Sequence, residues 1–246
     1  MDKGIFTGVG VGPGDPELIT IKAIKEIEEA DVLVLPALDK ESCRAYKIAR
    51  AAFAVMGERY GNEEYTGLID GKEYICEPFP MSMDMEERRE FHKRLAGRIA
   101  EELDAGRNAV FLTIGDPAVY STLDYIDVIL RKMGYNTKRI SGVTSFCAAA
   151  DRLGISLGED SESIHIIPGS ADVEEALKLR GTKVFMKGGK RLKELKDRLI
   201  RYEDETDTRV YGVESCTLPD EKVAYRAGEI TDDWGYMAVV IARGAD

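Results

Sequence analysis

Short apolar runs separated by helical periodicities set the frame of the first half of the chain. Runs at 5–11, 31–36, 109–114 and 136–140, with a weaker one near 73–79, have the length and content of strands. Between them, the stretch 16–30 places Leu18, Ile21, Ile24, Ile27 and Ala30 close to a 3.6-residue period. The stretch 85–105 places Phe91, Leu95, Ile99 and Leu103 at helical spacing, with Gly106 as its stop. Strands that alternate with helices and are apolar almost throughout predict a parallel sheet covered on both faces. The stretch 37–71 fits this rhythm poorly; a helix over 43–55 followed by a polar loop is the expectation.

From 145 onward the rhythm changes. A helix of small residues at 145–153 is followed by strand patterns at 163–167, 183–186, 209–213, 223–228 and 236–242, with helices only at 173–179 and 192–202. Strands that follow strands imply a partly antiparallel sheet. The predicted fold class is α/β in two domains: residues 1–143 with a parallel sheet, and 144–246 with a mixed one.

Composition narrows the function. The 246 residues are 44% hydrophobic and 32% charged, an ordinary globular balance ample for a buried core. Lys and Arg number 34 against 45 Asp and Glu, a net charge of −11 that argues against a nucleic-acid partner. No run approaches the ~20 apolar residues of a membrane span, and the N-terminus has no secretory pattern. No membrane partner is therefore expected, and a cytoplasmic location is. The cysteines at 43, 76, 147 and 216 form no CxxC, and His92 and His165 are the only histidines. A disulfide framework, a Cys/His zinc site and a histidine-based hydrolytic triad are all disfavoured, and no protein-bound metal is expected. His92, in a charged helical stretch, is expected to face solvent. His165, between Ile164 and Ile166, suits either a ligand-facing position or, by preference, a satisfied core site.

The chemistry-bearing features are turns. Val9-Gly10-Val11-Gly12-Pro13-Gly14-Asp15-Pro16 ends a strand and opens a helix. Asp15 reads as an N-cap with Pro16 at the first helical position, which needs no ligand. The glycines let backbone approach a ligand closely. Phe111-Leu112-Thr113-Ile114-Gly115-Asp116-Pro117-Ala118-Val119-Tyr120-Ser121-Thr122 repeats the arrangement, and Ser141-Gly142-Val143-Thr144-Ser145 ends a third strand. Ligands of open α/β sheets bind beyond the carboxyl ends of the strands, where all three turns fall. Asp116 suits either a ligand's amino group or the backbone of its own turn. Tyr120 suits a proton relay or, by preference, core packing.

These three turns resemble those of the tetrapyrrole (corrin/porphyrin) methylases, and the likeness runs from about residue 5 to 241. Tyr120-Ser121-Thr122 and the upstream Pro78-Phe79-Pro80-Met81 are similar to the branch that methylates C20 of precorrin-2 or of its cobalt form, cobalt-factor II. The resemblance implies two α/β domains with an active-site trough between them, a homodimer, and S-adenosylmethionine as methyl donor. It implies cofactor contacts at Pro13, at Ile114, Gly115 and Asp116, at Val119, at Thr144 and Ser145, and at Met186. Further contacts would fall at Cys216, within Glu214-Ser215-Cys216-Thr217, and at Ala238, next to Met237 in the last strand. Two departures from the family pattern are Cys216, where many relatives carry glycine, and Ser141, where proline is usual.

A tetrapyrrole substrate carries many carboxylates, so Arg44, Lys47, Arg152, Lys187, Lys190 and Arg191 are candidates to hold it. The last three open a stretch that also reads as a solvated amphipathic helix. Methyl transfer from a sulfonium asks the protein chiefly for position, so no catalytic base is assigned. Other readings of the same fold are methylation at another tetrapyrrole position, methylation of the diphthamide precursor, or a non-catalytic sensor of adenosyl ligands.

Overall fold

The computed structural model describes residues 2–62, 64–79 and 84–244. The chain divides into two compact units, Met1–Thr144 and Ser145–Asp246.

In the first unit, strands β1 (Phe6–Gly10), β2 (Val32–Leu35), β3 (Glu73–Cys76), β4 (Ala109–Thr113) and β5 (Thr137–Ile140) form one sheet in the order β3-β2-β4-β1-β5. Every neighbouring pair is parallel. The crossovers that parallel pairing demands are α1 (Ile21–Glu28), α2 (Arg44–Tyr60) with α3 (Tyr65–Asp70), α4 (Met85–Asp104) and α5 (Leu123–Lys132). β1 and β2 are buried along their whole length, as their apolar runs require. α4 starts where Asp84 accepts from the backbone N–H of Glu86 and Glu87, and the Glu87 carboxylate reaches back to the Asp84 N–H. Its stripe of Leu95, Ile99 and Leu103 packs against Phe6, Phe111 and Ile126.

Four expectations change here. The stretch 16–30 is two elements. Asp15 caps a 3-10 turn at Pro16–Leu18, the chain extends through Ile19 and Thr20, and α1 begins where the Thr20 hydroxyl accepts from the Ala23 N–H at 3.1 Å. The helix expected over 43–55 runs on to Tyr60, because nothing stops it before Gly61 at φ +63°. The expected polar loop then contains α3, held to α2 by a fork of Arg50 bonds to the Asp70 carboxylate at 2.9–3.1 Å and by the Tyr46 hydroxyl at 2.6 Å. His92 does not face solvent. It is 9% exposed, stacks on Tyr125 with centroids 4.6 Å apart, and packs beside Phe79 and Phe91. α5 covers a broader face of α4 than the Phe91–Leu103 stripe, and His92 lies within it.

In the second unit, α6 (Ser145–Leu153) precedes β6 (Ile164–Pro168), α7 (Val173–Leu177), β7 (Thr182–Met186), α8 (Leu192–Glu205), β8 (Thr208–Glu214), β9 (Lys222–Ala224) and β10 (Val239–Gly244). The sheet order is β6-β7-β10-β8-β9, with β6 and β7 parallel and the other pairs antiparallel. Leu192, Leu195 and Leu199 of α8 pack on Phe185, Val210 and Val240. The last two strands are shorter than the apolar pattern suggests. After Ala224 the Tyr225 and Ala227 N–H groups donate to Glu229 and Glu203 carboxylates instead of to a neighbouring strand. β10 starts only at Val239, because the preceding segment folds in Trp234, against which Gly212 of β8 leaves no room for a side chain. Among the described residues no helix is long and apolar enough to cross a membrane.

Candidate functional site

The order β4-β1-β5 makes the three glycine turns of the first unit neighbours, and hydrogen bonds fasten them together. The Val11 N–H donates to the Thr113 carbonyl at 2.9 Å. Gly12 and Gly115 exchange N–H···O bonds at 3.3 and 2.7 Å, an isolated antiparallel bridge at the end of a parallel sheet. Gly115 holds φ +72°, a conformation that excludes most side chains. The backbones also crowd one another: a Cβ at Gly142 would lie 2.2 Å from the Gly115 carbonyl oxygen, and one at Gly10 2.5 Å from the same atom. Asp116 closes the arrangement. One carboxylate oxygen accepts from the Ala118 N–H at 2.7 Å, the other from the Gly142 N–H at 3.0 Å, so its negative charge ties the turn after β4 to the turn after β5.

Around this bare backbone, Pro13 is buried and Ile114, Val119 and Thr144 are half-buried. Tyr120 departs from the expected core packing. It is 40% exposed and holds φ +48°. The next residue, Ser121, is buried and anchors the turn, donating to the Thr113 hydroxyl and accepting from the Leu123 N–H, both at 3.3 Å.

In the second unit, register brings three predicted positions to one sheet edge. Val239 pairs with Met186 on one side and with Val213 on the other. The end of β7, the turn after β8 and Ala238 just before β10 are therefore adjacent; Ala238 precedes the last strand and does not lie within it. The turn 214–217 is braced from inside. The Ser215 hydroxyl donates to Asp220 at 3.2 Å, the Thr217 N–H donates to Glu221 at 2.9 Å, and Arg152 pairs with Glu221 at 2.5 Å. Cys216 is 3% exposed, and burial pushes its thiol up to about 11, so it packs as an inert apolar residue. Its departure from glycine does not disturb the turn, because the left-handed residues are its neighbours Ser215 and Thr217. Ser145 opens α6, a different element.

The basic candidates separate by their partners. Arg152 is occupied in bracing the turn, and Arg191 donates to the Ser170 carbonyl at 2.7 Å. The Lys187 ammonium lies 5.2 Å from the centre of the Tyr236 ring. Arg44 and Lys47 are exposed one helical turn apart on α2. The Lys190 side chain, and Pro80 and Met81 of the upstream motif, lie outside the described residues.

One feature of these edges carries no mark in the sequence. Among the described residues five non-glycine positions have positive φ, and four of them, Tyr120, Lys187, Ser215 and Thr217, fall in the turns after β4, β7 and β8. Strained backbone of this kind persists where its surroundings over-determine it, and it concentrates at ligand sites.

The probable cobalt-precorrin-2 C(20)-methyltransferase of Methanocaldococcus jannaschii is 30% identical over 217 residues, 88% of this chain and 84% of that protein. The precorrin-2 C(20)-methyltransferase of a Sinorhizobium species is 28% identical over 257 residues, covering 98% and 96% of the two chains. The crystal structure of uroporphyrin-III C-methyltransferase from Thermus thermophilus, complexed with S-adenosylhomocysteine, superposes with a TM-score of 0.64 at 22% identity over 98% of this chain and 97% of that one, a likeness of fold. The sequence profile of the tetrapyrrole (corrin/porphyrin) methylases matches residues 6–231. That match runs through the bridged turns at Gly12 and Gly115, the Gly142 turn and the braced turn after β8, and the chain belongs to this family.

Proposed function

We propose that this chain transfers the methyl group of S-adenosylmethionine to C20 of precorrin-2, or of its cobalt form, in corrin (cobalamin) synthesis. The observation that carries the reading is the joint closure of the Gly12, Gly115 and Gly142 turns around bare backbone. The names of the two relatives support the ring position. The residues fit the cofactor. Crowding keeps side chains away from Gly10 and Gly142, and the residues left around the turns are mostly apolar. We assign its contacts to Pro13, Ile114, Gly115, Asp116, Val119 and Thr144 in the first unit. In the second we assign them to Ser145, Met186, Ala238 and the backbone at Cys216.

Bound there, the cofactor supplies an electrophilic methyl group on a sulfonium. The chain supplies position: the β4 turn is held by two acceptor oxygens of Asp116, and the β8 turn by Glu221 and Asp220. A reduced tetrapyrrole has electron-rich meso carbons, so the ring carbon itself is the nucleophile and afterwards loses a proton. Neither histidine is offered for that proton, since His92 is enclosed by aromatic rings and His165 Nε2 is bonded to the Arg180 carbonyl at 2.9 Å. Arg44, Lys47, Lys187 and Arg191 are our candidates for the substrate carboxylates. Cobalt, where present, arrives in the ring. The same reading takes the enzyme as a cytoplasmic homodimer without nucleic-acid or membrane partners.

The test is incubation of the purified protein with methyl-labelled S-adenosylmethionine and each ring form. One labelled methyl added per ring, detected by mass, is expected. A folded protein that binds the cofactor yet labels neither ring would contradict the proposal.

A further inference from the structure

We infer that Tyr120 contacts the substrate and helps to select the tetrapyrrole, an inference that rests on the methyltransferase reading. A large side chain at φ +48° sits in the left-handed region that L-residues avoid. Core packing commonly compensates such strain, but this residue is 40% exposed. The turn is instead fixed from both sides. The Val119 N–H donates to the Asp116 carbonyl at 3.2 Å and the Ala118 N–H to the Asp116 carboxylate at 2.7 Å. On the far side, buried Ser121 is tied to Thr113 and Leu123. These bonds hold Tyr120 in a conformation it would not choose, with its ring outside the core.

Position gives the strain a use. The turn follows β4, the middle strand of the first sheet, and leads directly out of the Gly115-Asp116 segment that closes on Gly12 and Gly142. An aromatic side chain with few rotatable bonds, carried there on a fixed backbone, offers a flat face at little entropic cost to a ligand that is itself a broad conjugated ring. The hydroxyl suits the carboxylates around such a ring as a donor. Burial raises its pKa above the ordinary phenol value, so it keeps its proton at neutral pH and is no general base.

The test compares Tyr120→Asn, which tolerates the left-handed backbone, with Tyr120→Phe, which keeps the ring. Each is measured for melting temperature, for S-adenosylhomocysteine affinity by calorimetry, and for kcat and KM with precorrin-2 and its cobalt form. For Tyr120→Asn we expect KM for the ring to rise about tenfold, the size of one aromatic contact. Cofactor affinity should be unchanged, and melting equal or higher as strain is relieved. Tyr120→Phe should keep most of the wild-type KM and the wild-type pH profile. An unchanged KM in Tyr120→Asn overturns the inference, as does parallel loss of melting temperature and cofactor affinity, which would make Tyr120 a structural residue. If the wild-type protein binds cofactor but methylates neither ring, the methyltransferase reading itself has failed and this inference falls with it.

Discussion

Gly115 and His92 are the residues whose chemistry is most exposed to a single substitution. At Gly115 the φ of +72° is a backbone conformation that a branched side chain strains, in the turn that bonds to Gly12. Gly115→Val should cost about 1–2 kcal/mol in chemical denaturation from the backbone conformation alone. It should also abolish S-adenosylhomocysteine binding in calorimetry while the second unit stays folded; normal binding would make the turn purely structural. His92 acts on stability through pH. Burial among aromatic rings, with Arg88 adding repulsion, lowers its pKa from the ordinary 6.5. As pH falls through the usual imidazole range the unfolded chain takes up a proton that the folded chain resists, so this contribution to stability is present above that range and lost below it. Between about pH 7.5 and about pH 5 the wild-type melting temperature should fall more steeply than that of His92→Gln. A steeper fall in the variant would contradict the sign.

At the scale of elements, what could be read from the chain depended on how local its cause was. β1, β2 and β4 were legible because a parallel strand covered on both faces must be apolar at nearly every position. The turns after β1, β4 and β5 were legible because glycine marks each of them, with proline and aspartate beside it in the first two. The break between the Pro16–Leu18 turn and α1 was hidden by an apolar period that runs through it; the signal was Thr20, a second capping residue inside the pattern. Thr20→Ala should lower stability by about 1 kcal/mol by urea denaturation, whereas a continuous helix over 16–30 would be unaffected or gain. The ends of β9 and β10 depended on Glu203, Glu229 and Trp234, distant or non-periodic residues that no local pattern connects to them. The same holds for the candidate site residues of the second unit. Lys187, Ser215 and Thr217 are ordinary residue types, and only the folded chain reveals their left-handed backbone. The burial of His92 was illegible for a like reason, since it depends on α5 lying across α4.

For the whole molecule, the central tension is a chain of net charge −11 proposed to hold a polycarboxylate. Attraction must come from local basic groups, of which Arg44 and Lys47 are exposed and open to screening. Salt shortens the Debye length from ~10 Å at 0.1 M to ~3 Å at 1 M, so binding of the ring should weaken strongly while binding of the cofactor, for which we propose mainly backbone and apolar contacts, changes little. Titrating each ligand at low and high salt, with light scattering to follow the proposed dimer, checks this; equal salt sensitivity would refute separate modes of binding. The most direct measurement of the proposed activity is ring-carbon NMR of the product formed from precorrin-2, or its cobalt form, and S-adenosylmethionine carrying an isotopically labelled methyl group. A single labelled methyl bonded to C20 is expected. A labelled methyl at any other ring carbon, or none on either ring form, would contradict the proposal.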